Sequence, residues 1–305
     1  MPQGTVLGPL LFLAFINDLP DVTKFSDTRL FADDSLLYRE ITSNHDNVLL
    51  QRDLTALEEW EKAWQMSFNA TKCSVLHICP GNKKKLINTS YQLHGHTLDT
   101  EDASKYLGVT LTDDLSWGRH VSNTVGKGNR SLGFLRRNFK DCTTSVKAYT
   151  YTTMVRPAIE YASTVWDPHR QGDIKALEQV QRRAARYVFN NYTDRTPGCV
   201  TSMLQKLQWE SLESRRYKNR LTMLYKINHG LVDVNTNCLK RSDCRTRGQQ
   251  RFFQERISCE AYANSFFPRT IGNWNQLPSS ISSSVSINEF RAGLSTRLAP
   301  APSHQ

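Results

Sequence analysis

Two short apolar segments, residues 29–32 and 35–38, are separated only by the adjacent acidic residues Asp33 and Asp34. Aspartate is favoured in tight turns because its side chain bonds nearby backbone N–H groups, and short apolar runs around a turn are typical of paired strands. The pattern therefore predicts a β-hairpin that holds both carboxylates at a rigid, exposed corner.

The rest of the first third mixes helices with short strands. Residues 6–16 are apolar on nearly all faces, which predicts a buried helix, but this run is too short to span a membrane, which takes about 20 residues. Residues 47–64 carry apolar side chains at helical spacing. Strands are predicted at residues 72–78 and 106–111, and a second hairpin at residues 91–98.

From His120 the pattern becomes helical. The clearest helices are predicted at residues 145–155, 173–189 and 200–229, with Gly230 as a C-cap. The predicted fold class is α+β, with a mixed segment over residues 1–115 and a helical, basic segment over residues 116–234. A linker at residues 235–250 and a small C-terminal module with a frayed tail at residues 251–305 complete the predicted organisation.

Charge is distributed unevenly along the chain, whose net charge is +10. Residues 1–120 hold 11 Lys and Arg against 16 Asp and Glu, whereas residues 121–256 hold 25 against 11. An acidic segment followed by a strongly basic one predicts a site for cations beside a surface for polyanions. A basic face that is merely solvated is the alternative.

The seven cysteines have irregular spacing, which argues against a secreted disulfide framework. We therefore expect an intracellular location, in the nucleus or the cytoplasm. Cys238 and Cys244 have five residues between them, wider than the usual zinc spacing, so a metal site there is disfavoured.

Asp33 and Asp34 alone are weak evidence for chemistry. Mg²⁺ takes oxygen ligands, usually one or two protein carboxylates with substrate phosphates, and two-metal phosphoryl transfer needs carboxylates that bridge the ions. An ordinary aspartate-rich turn is the alternative interpretation of the pair.

The sequence around the pair resembles the reverse transcriptases of non-LTR (LINE-type) retrotransposons. The resemblance rests on the order and the spacing of several motifs, and it covers nearly the whole chain. Along the chain these are Pro2-Gln3-Gly4 with the helix after it, Phe31-Ala32-Asp33-Asp34, Trp64 with Asn69 and Lys72, Tyr106-Leu107-Gly108-Val109, Val165-Trp166-Asp167-Pro168, and Trp274-Asn275-Gln276-Leu277-Pro278.

The resemblance implies a partial reverse-transcriptase palm, built from a helix and β-hairpins, followed by a mostly helical thumb and C-terminal region. Asp33 and Asp34 would bind Mg²⁺ or Mn²⁺ for catalysis, and Lys72 would assist the departure of pyrophosphate. Contacts with template and nucleotide would come from Pro2, Gln3, Gly4, Phe31 and Ala32, and a primer grip from Tyr106, Leu107 and Gly108. The implied partners are an RNA template and a DNA primer, bound without sequence specificity.

The chemistry of the helical segment agrees with this interpretation, because guanidinium groups suit bidentate contacts with phosphate. The candidates for contacts with the nucleic-acid backbone are Arg136, Arg137, Arg182, Arg183, Arg186, Arg215 and Arg216. Tyr187, Trp209 and Tyr217 could stack on bases, but their helical spacing favours a place in the core.

The family's palm also carries a metal-binding aspartate upstream of the Pro-Gln-Gly turn, and only Met1 precedes Pro2 here. We therefore expect the metal to bind weakly and the chain to polymerise nothing alone, with another chain that supplies the N-terminal half as a further possible partner. A non-catalytic RNA- or DNA-binding protein and a pseudogene product without function stay open as alternatives. No membrane association is expected.

Overall fold

The computed structural model describes residues 4–79, 89–237, 239–242, 251–257 and 259–297. The chain divides into two compact units, Met1–Leu115 and Ser116–Gln305. The first unit mixes helices and strands and the second is helical, which confirms the predicted α+β class. Across the described ranges, no helix is both long and apolar enough to cross a membrane.

In the first unit, short helices and strands alternate along the chain. Its described elements are the helices α1 (Gly8–Ile16), α2 (Leu19–Val22) and α3 (Asn44–Trp64), a 3-10 turn (Ala70–Lys72), and the strands β1 (Asp27–Phe31), β2 (Asp34–Tyr38), β3 (Ser74–Leu76), β4 (Gln92–Leu93), β5 (His96–Thr97), β6 (Asp99–Glu101), β7 (Ala103–Tyr106) and β8 (Val109–Thr112). The strands form two-stranded sheets: β1–β2, β4–β5 and β7–β8 are antiparallel, and β3–β6 is parallel.

Helix α1 is not the buried helix that its apolar sequence predicts. Phe12, Phe15 and Ile16 pack against Leu19 and Trp60 in one core cluster. The other face is exposed, and Leu10 keeps 63% of its surface. The prediction of a fully buried helix is wrong because only one side of α1 is covered by the described residues of this unit.

The strand predicted at residues 106–111 is also wrong, because a tight turn divides it. Tyr106 pairs with Val109, and the two residues between them, Leu107 and Gly108, both have positive φ, at 46° and 84°. The segment is therefore the hairpin β7–β8. The hairpin predicted around Gly95 is confirmed as β4–β5.

The second unit is a packed set of helices. Its described helices are α4 (Gly118–Asn138), α5 (Thr144–Thr150), α6 (Arg156–Glu160), α7 (Ser163–Trp166), α8 (Gln171–Val188), α9 (Cys199–Lys206), α10 (Leu212–Asn228), α11 (Glu260–Ala263), α12 (Phe266–Trp274), α13 (Ser279–Ser282) and α14 (Ile287–Arg297). A π-helical turn, Tyr151–Val155, joins α5 to α6 just before Pro157, which has no N–H to donate to the preceding turn.

The single helix predicted at residues 200–229 is two helices in the structure. Helix α9 ends at Lys206 and α10 begins at Leu212, and Gln208 between them has a left-handed φ of 54°. The Ser211 side chain caps α10 by accepting from the Ser214 N–H. Gly230, with φ of 66°, follows α10 as predicted.

The C-terminal segment shares a core with α10. Leu221, Leu224 and Tyr225 of α10 pack with Trp274 of α12 and Phe290 of α14. The Tyr225 hydroxyl donates to the Ser284 carbonyl at 3.0 Å. The segment predicted as a separate module thus packs within the second unit, whereas much of the predicted linker and the tail from residue 298 lie outside the described residues.

Candidate catalytic hairpin and nucleic-acid interface

The β1–β2 hairpin places Asp33 and Asp34 where the sequence predicts them. Phe31 pairs with Asp34, so Ala32 and Asp33 form the two-residue turn. Ala32 has a left-handed φ of 52°, a conformation that is uncommon for residues other than glycine and that costs about 1–2 kcal/mol. Both aspartates are exposed, so the hairpin presents two carboxylates at a defined corner of the first unit.

The strand register separates the two faces of this hairpin. Thr28 and Leu30 face the interior, where Leu30 joins the core cluster of α1 and α3. Because side chains alternate along a strand, Arg29 and Phe31 share the outer face with their partners Leu36 and Asp34. Phe31 is 63% exposed there, so Asp34 lies beside an uncovered aromatic ring.

Buried polar groups fix the base of the hairpin. The Asp53 carboxylate, buried on α3, accepts hydrogen bonds from the backbone N–H groups of Lys24 and Phe25, both at 3.0 Å. The hydroxyls of Thr23 and Thr28 lie 2.8 Å apart. These contacts hold the chain that enters β1 against α3.

The chain that leaves β2 is fixed by Asp46. Its carboxylate pairs with the Arg39 guanidinium at 2.7 Å and accepts from the N–H groups of Thr42 and Ser43 at the start of α3. The hydrogen bond from Arg39, followed by those from Ser43 and Thr42, holds the pKa of the Asp46 carboxyl well below its usual range. Arg39 also donates to the Phe25 carbonyl, which ties the two ends of the hairpin together.

The donor chemistry at the tip fits a hard cation, because Asp33 and Asp34 offer carboxylate oxygens and Mg²⁺ commonly takes one or two of these with phosphates and water. No group of three or more metal-ligating side chains occurs among the described residues. Within the described part of the chain, the tip thus presents two adjacent carboxylates.

The other positions predicted for catalysis and the primer grip are exposed or partly exposed. Lys72 is exposed at the end of the 3-10 turn, which Asn69 caps by accepting from the Thr71 N–H at 3.2 Å. Leu107 and Gly108 form the turn of β7–β8, and Tyr106 is the last residue of β7. Gly4 has φ of 85°, while Pro2 and Gln3 lie outside the described residues.

Helix α4 carries the most distinctive charge pattern of the second unit. Residues 115–140 contain six Lys and Arg and no Asp or Glu. Arg130, Arg136 and Arg137 are exposed on this helix. An acid-free helix with exposed guanidinium groups is suited to contact a phosphate backbone.

The arginines of α8 take different directions. Arg183 reaches α4, where its guanidinium donates to the Asn129 side chain at 3.0 Å. Arg186 turns toward the loop after α8 and donates to the Asn191 carbonyl at 3.0 Å. Arg182 is half-buried. The structure thus joins Arg183 to the α4 surface and engages Arg186 in holding a loop.

The prediction that Arg216 contacts phosphate is wrong. Arg216 is only 1% exposed, and its Nε donates to Asp167 at 2.7 Å. Arg215 is less buried, but two of its nitrogens donate to Glu160 at 2.5 and 2.9 Å. Arg215 and Arg216 therefore join α10 to other segments within the unit.

The aromatic residues considered for stacking belong largely to the core. Tyr187 is fully buried, and the Trp209 ring lies 4.5 Å from the ring of the buried Tyr151. Sequence reasoning missed two exposed rings near α4, Phe134 and Tyr192. Phe134 could have been found from the sequence, because it lies between arginines at helical spacing. Tyr192 could not, because it is distant in the sequence and contacts α4 only in the folded chain.

A cleft of about 530 Å³ opens elsewhere in the second unit, lined by Ile227, Gly230, Asp233, Arg241 and Phe252 among others. The Arg241 guanidinium lies 5.2 Å from the Phe252 ring there. None of the predicted site residues lines this cleft.

A comparison with known protein families finds a match over most of the first unit. Residues 1–111 match the family model described as reverse transcriptase (RNA-dependent DNA polymerase). No solved structure matches the chain.

The relatives are polymerases of mobile elements. The chain is 30% identical over 200 residues to a probable RNA-directed DNA polymerase from transposon BS of Drosophila melanogaster. The aligned region covers 62% of this chain and 22% of that protein. The chain is 29% identical over 209 residues to the RNA-directed DNA polymerase from mobile element jockey of Drosophila funebris, with 62% and 21% covered. The chain thus spans about a fifth of the length of these relatives, and the resemblance to a non-LTR retrotransposon reverse transcriptase is confirmed.

Proposed function

We propose that this chain carries part of the machinery of an RNA-directed DNA polymerase of a non-LTR retrotransposon. The observation that carries the proposal is the β1–β2 hairpin, which holds two adjacent carboxylates at an exposed corner within the residues that match the reverse transcriptase family. In this proposal the first unit is a partial palm and the second unit the thumb and C-terminal region.

Asp33 and Asp34 would hold Mg²⁺ or Mn²⁺, and the bound ions would stabilise the charge that develops during phosphoryl transfer. The turn at Ala32 keeps the two carboxylates adjacent and outside the apolar interior. The anchors at Asp53 and Asp46 fix both strand ends, so the carboxylates are oriented before a substrate arrives. Preorganised charge of this kind contributes more than charge that must reorganise during the reaction.

Lys72 would donate a proton or a hydrogen bond to the departing pyrophosphate, consistent with its exposed ammonium group. The β7–β8 turn at Tyr106, Leu107 and Gly108 would contact the primer strand. Gly4, Phe31 and Ala32, with Pro2 and Gln3, would contact template and nucleotide.

The second unit would hold RNA template and DNA primer through their phosphates. Arg130, Arg137 and Arg183 are the arginines best placed for this, because α4 lacks acidic residues and Arg183 bonds to α4. Arg136 and Arg182 would add further contacts. Such binding should be insensitive to sequence and should weaken steeply as salt rises.

We further propose that the chain binds its metal weakly and extends no primer by itself. Two adjacent carboxylates are fewer ligands than two ions need to be bridged, and the described residues contain no cluster that includes a third. A second polypeptide that supplies a further carboxylate would then be needed for activity.

We place the protein inside the cell, in the nucleus or the cytoplasm, in keeping with the free thiols of Cys73, Cys79, Cys142, Cys199 and Cys259.

Iron-mediated cleavage of the polypeptide tests the metal site without requiring polymerase activity. Fe²⁺ bound in place of Mg²⁺ reduces added hydrogen peroxide to hydroxide and a hydroxyl radical, which cuts the backbone near the ion, and added ascorbate reduces the resulting Fe³⁺ to Fe²⁺ again. We expect cuts around residues 31–36, and we expect Asp33→Asn with Asp34→Asn to abolish them while Asp27→Asn, at the exposed base of β1, leaves them in place. Equal cleavage in the parent and the double variant would refute the metal site.

A non-catalytic nucleic-acid-binding protein is the second candidate, and the acid-free α4 favours it. In that case RNA and DNA would bind with the same affinity after Asp33→Asn and Asp34→Asn, and no metal-dependent cleavage would occur at the hairpin.

A further inference from the structure

The end of α4 presents two aromatic rings beside arginines to which we assign phosphate contacts, and the proposed function does not use these rings. We define the α4 patch as Phe134, Arg136, Arg137, Lys140 and Tyr192. All five side chains are exposed, with Phe134 at 46% and Tyr192 at 39% of their full surface. Three cations and two partly exposed rings thus lie at one end of this helix.

The helix places the two rings on either side of a basic ridge. Successive α-helical residues turn by about 100°, so Phe134 and Arg136 lie nearly opposite one another and Arg137 projects between them. Arg136 extends to the Tyr192 ring, whose centroid is 4.6 Å from the guanidinium carbon.

Tyr192 is held in this place by the loop that follows α8. Arg186 donates to the Asn191 carbonyl at 3.0 Å, and the Asp194 N–H donates to the Asn191 side chain at 3.2 Å. Lys147 of α5 donates to Asn190 at 2.8 Å. The residues that precede Tyr192 are therefore held by contacts from α5 and α8.

We propose that the α4 patch binds a single-stranded segment of RNA or DNA, with bases stacked on Phe134 and Tyr192 and phosphates held by Arg136, Arg137 and Lys140. The charge of the patch favours a polyanion, because its three cationic side chains outweigh the one exposed acid beside it, Asp141. The rings call for a ligand with open π-faces. Single strands offer both, whereas a duplex hides its base faces between neighbouring pairs.

Arginines in the last turn of a helix also interact favourably with the helix dipole, so their presence alone does not establish a ligand. The rings are different, because Phe134 and Tyr192 keep 46% and 39% of their surface open to a ligand, although Tyr192 also contacts Arg136. The test therefore rests on the rings and not on the arginines. It is independent of Asp33 and Asp34, so it can fail while the proposed polymerase function stands, or succeed while that function fails.

The experiment measures binding of the full chain to a fluorescent 15-nucleotide oligo-dT and to a duplex of the same length, by anisotropy at several salt concentrations. Stacking contributes about 1–3 kcal/mol per base, so Phe134→Ala and Tyr192→Ala should each weaken binding of the single strand about tenfold. The slope of log Kd against log salt should not change, because no cation is removed. Duplex binding should stay within twofold of the parent.

Two controls separate stacking from other effects. Phe134→Tyr and Tyr192→Phe keep the rings and should bind like the parent. Tyr149→Ala removes a ring that is 67% exposed on α5, outside the patch, and should also bind like the parent. Unchanged single-strand affinity in the double alanine variant, or equal losses for single strand and duplex, would overturn the proposal. So would a dimer of the parent chain that dissociates in the alanine variants while single-strand binding persists.

Discussion

The Nε atom of Arg216 lies 2.7 Å from the Oδ1 atom of Asp167, and both side chains are buried in the second unit. The other carboxylate oxygen of Asp167 accepts from the Nε of Arg220 at 2.8 Å. Arg269 of α12 donates to the Asp167 backbone carbonyl at 2.8 Å. One aspartate thus joins α10 and α12 to the segment that follows α7.

Asp167→Asn should destabilise the second unit by about 3–5 kcal/mol, because two buried guanidinium groups would lose their counter-charge. Urea unfolding followed by far-UV circular dichroism measures this change in the free energy of unfolding. Asp141→Asn makes the same substitution at an exposed position and should cost less than about 0.5 kcal/mol. A loss below about 1 kcal/mol at Asp167 would show that the cluster is not a stabilising centre.

Two glycines of α4 should respond in opposite ways to alanine. A Cβ atom on Gly128 would lie 2.7 Å from Ile159 Cγ2 and 3.2 Å from Val180 Cγ1, so Gly128→Ala should cost about 1–3 kcal/mol through overpacking. A Cβ atom on Gly126 would meet only the end of the Arg130 side chain at 3.5 Å, so Gly126→Ala should stabilise by up to about 1 kcal/mol. The melting temperatures of the two variants, each compared with the parent, test this prediction. A higher melting temperature in both variants would contradict the close packing of α4 on α6 and α8.

Acid should weaken the first unit through Asp46. The pKa of this carboxyl lies well below its ordinary value of 3.8, chiefly because Arg39 donates to it. A lowered folded-state pKa means that the stabilisation is complete above about pH 5 and is lost as pH falls through 3.8 toward the folded value. The protection factors of the α3 amides, which compare their exchange with the intrinsic rate at each pH, should therefore fall below pH 4.

Asp46→Asn should remove that acid sensitivity and raise exchange in α3 already at pH 7. Glu40→Gln, an exposed acid near the same loop, should keep the parent profile. Equal pH profiles for the parent and Asp46→Asn would refute the role of the Arg39–Asp46 pair.

The turn at Ala32 should discriminate between side chains. Ala32→Gly removes the cost of the left-handed φ of 52° and should keep or improve protection of the β1–β2 amides. Ala32→Val adds a β-branched side chain that this region disfavours, and should destabilise the hairpin by about 1–2 kcal/mol relative to glycine. Hydrogen exchange of Leu30 and Ser35, which pair across the hairpin, reports the difference. Equal protection in both variants would mean that the turn has another conformation in solution.

The local pattern was sufficient to predict the hairpin at Asp33 and Asp34, since the turn chemistry and the flanking strands agree. It failed at Leu107 and Gln208, where a residue other than glycine takes a left-handed φ. Leucine and glutamine are not among the usual turn residues, so their identity does not predict a left-handed φ. The burial of α1 was overestimated because the apolar content of a helix does not show whether other elements cover all of its faces.

The arginines show a similar limit. Arg216 has the sequence context of a surface cation, and only its contact with Asp167, 49 residues away in the chain, explains its burial. Conversely, Tyr192 becomes part of the α4 patch through Arg136, 56 residues earlier. Charge segregation predicted where a basic surface would lie, but not which of its members would be free to contact a ligand.

Primer extension tests the central claim most directly. The purified chain would be incubated with an RNA template, an annealed DNA primer, deoxynucleotides and Mg²⁺ or Mn²⁺, beside the variant with Asp33→Asn and Asp34→Asn. We predict that the primer is bound but stays unextended with both proteins, because two carboxylates are fewer than two-metal catalysis would need. Extension by the parent chain and not by the variant would contradict this account and would make the chain a self-sufficient polymerase.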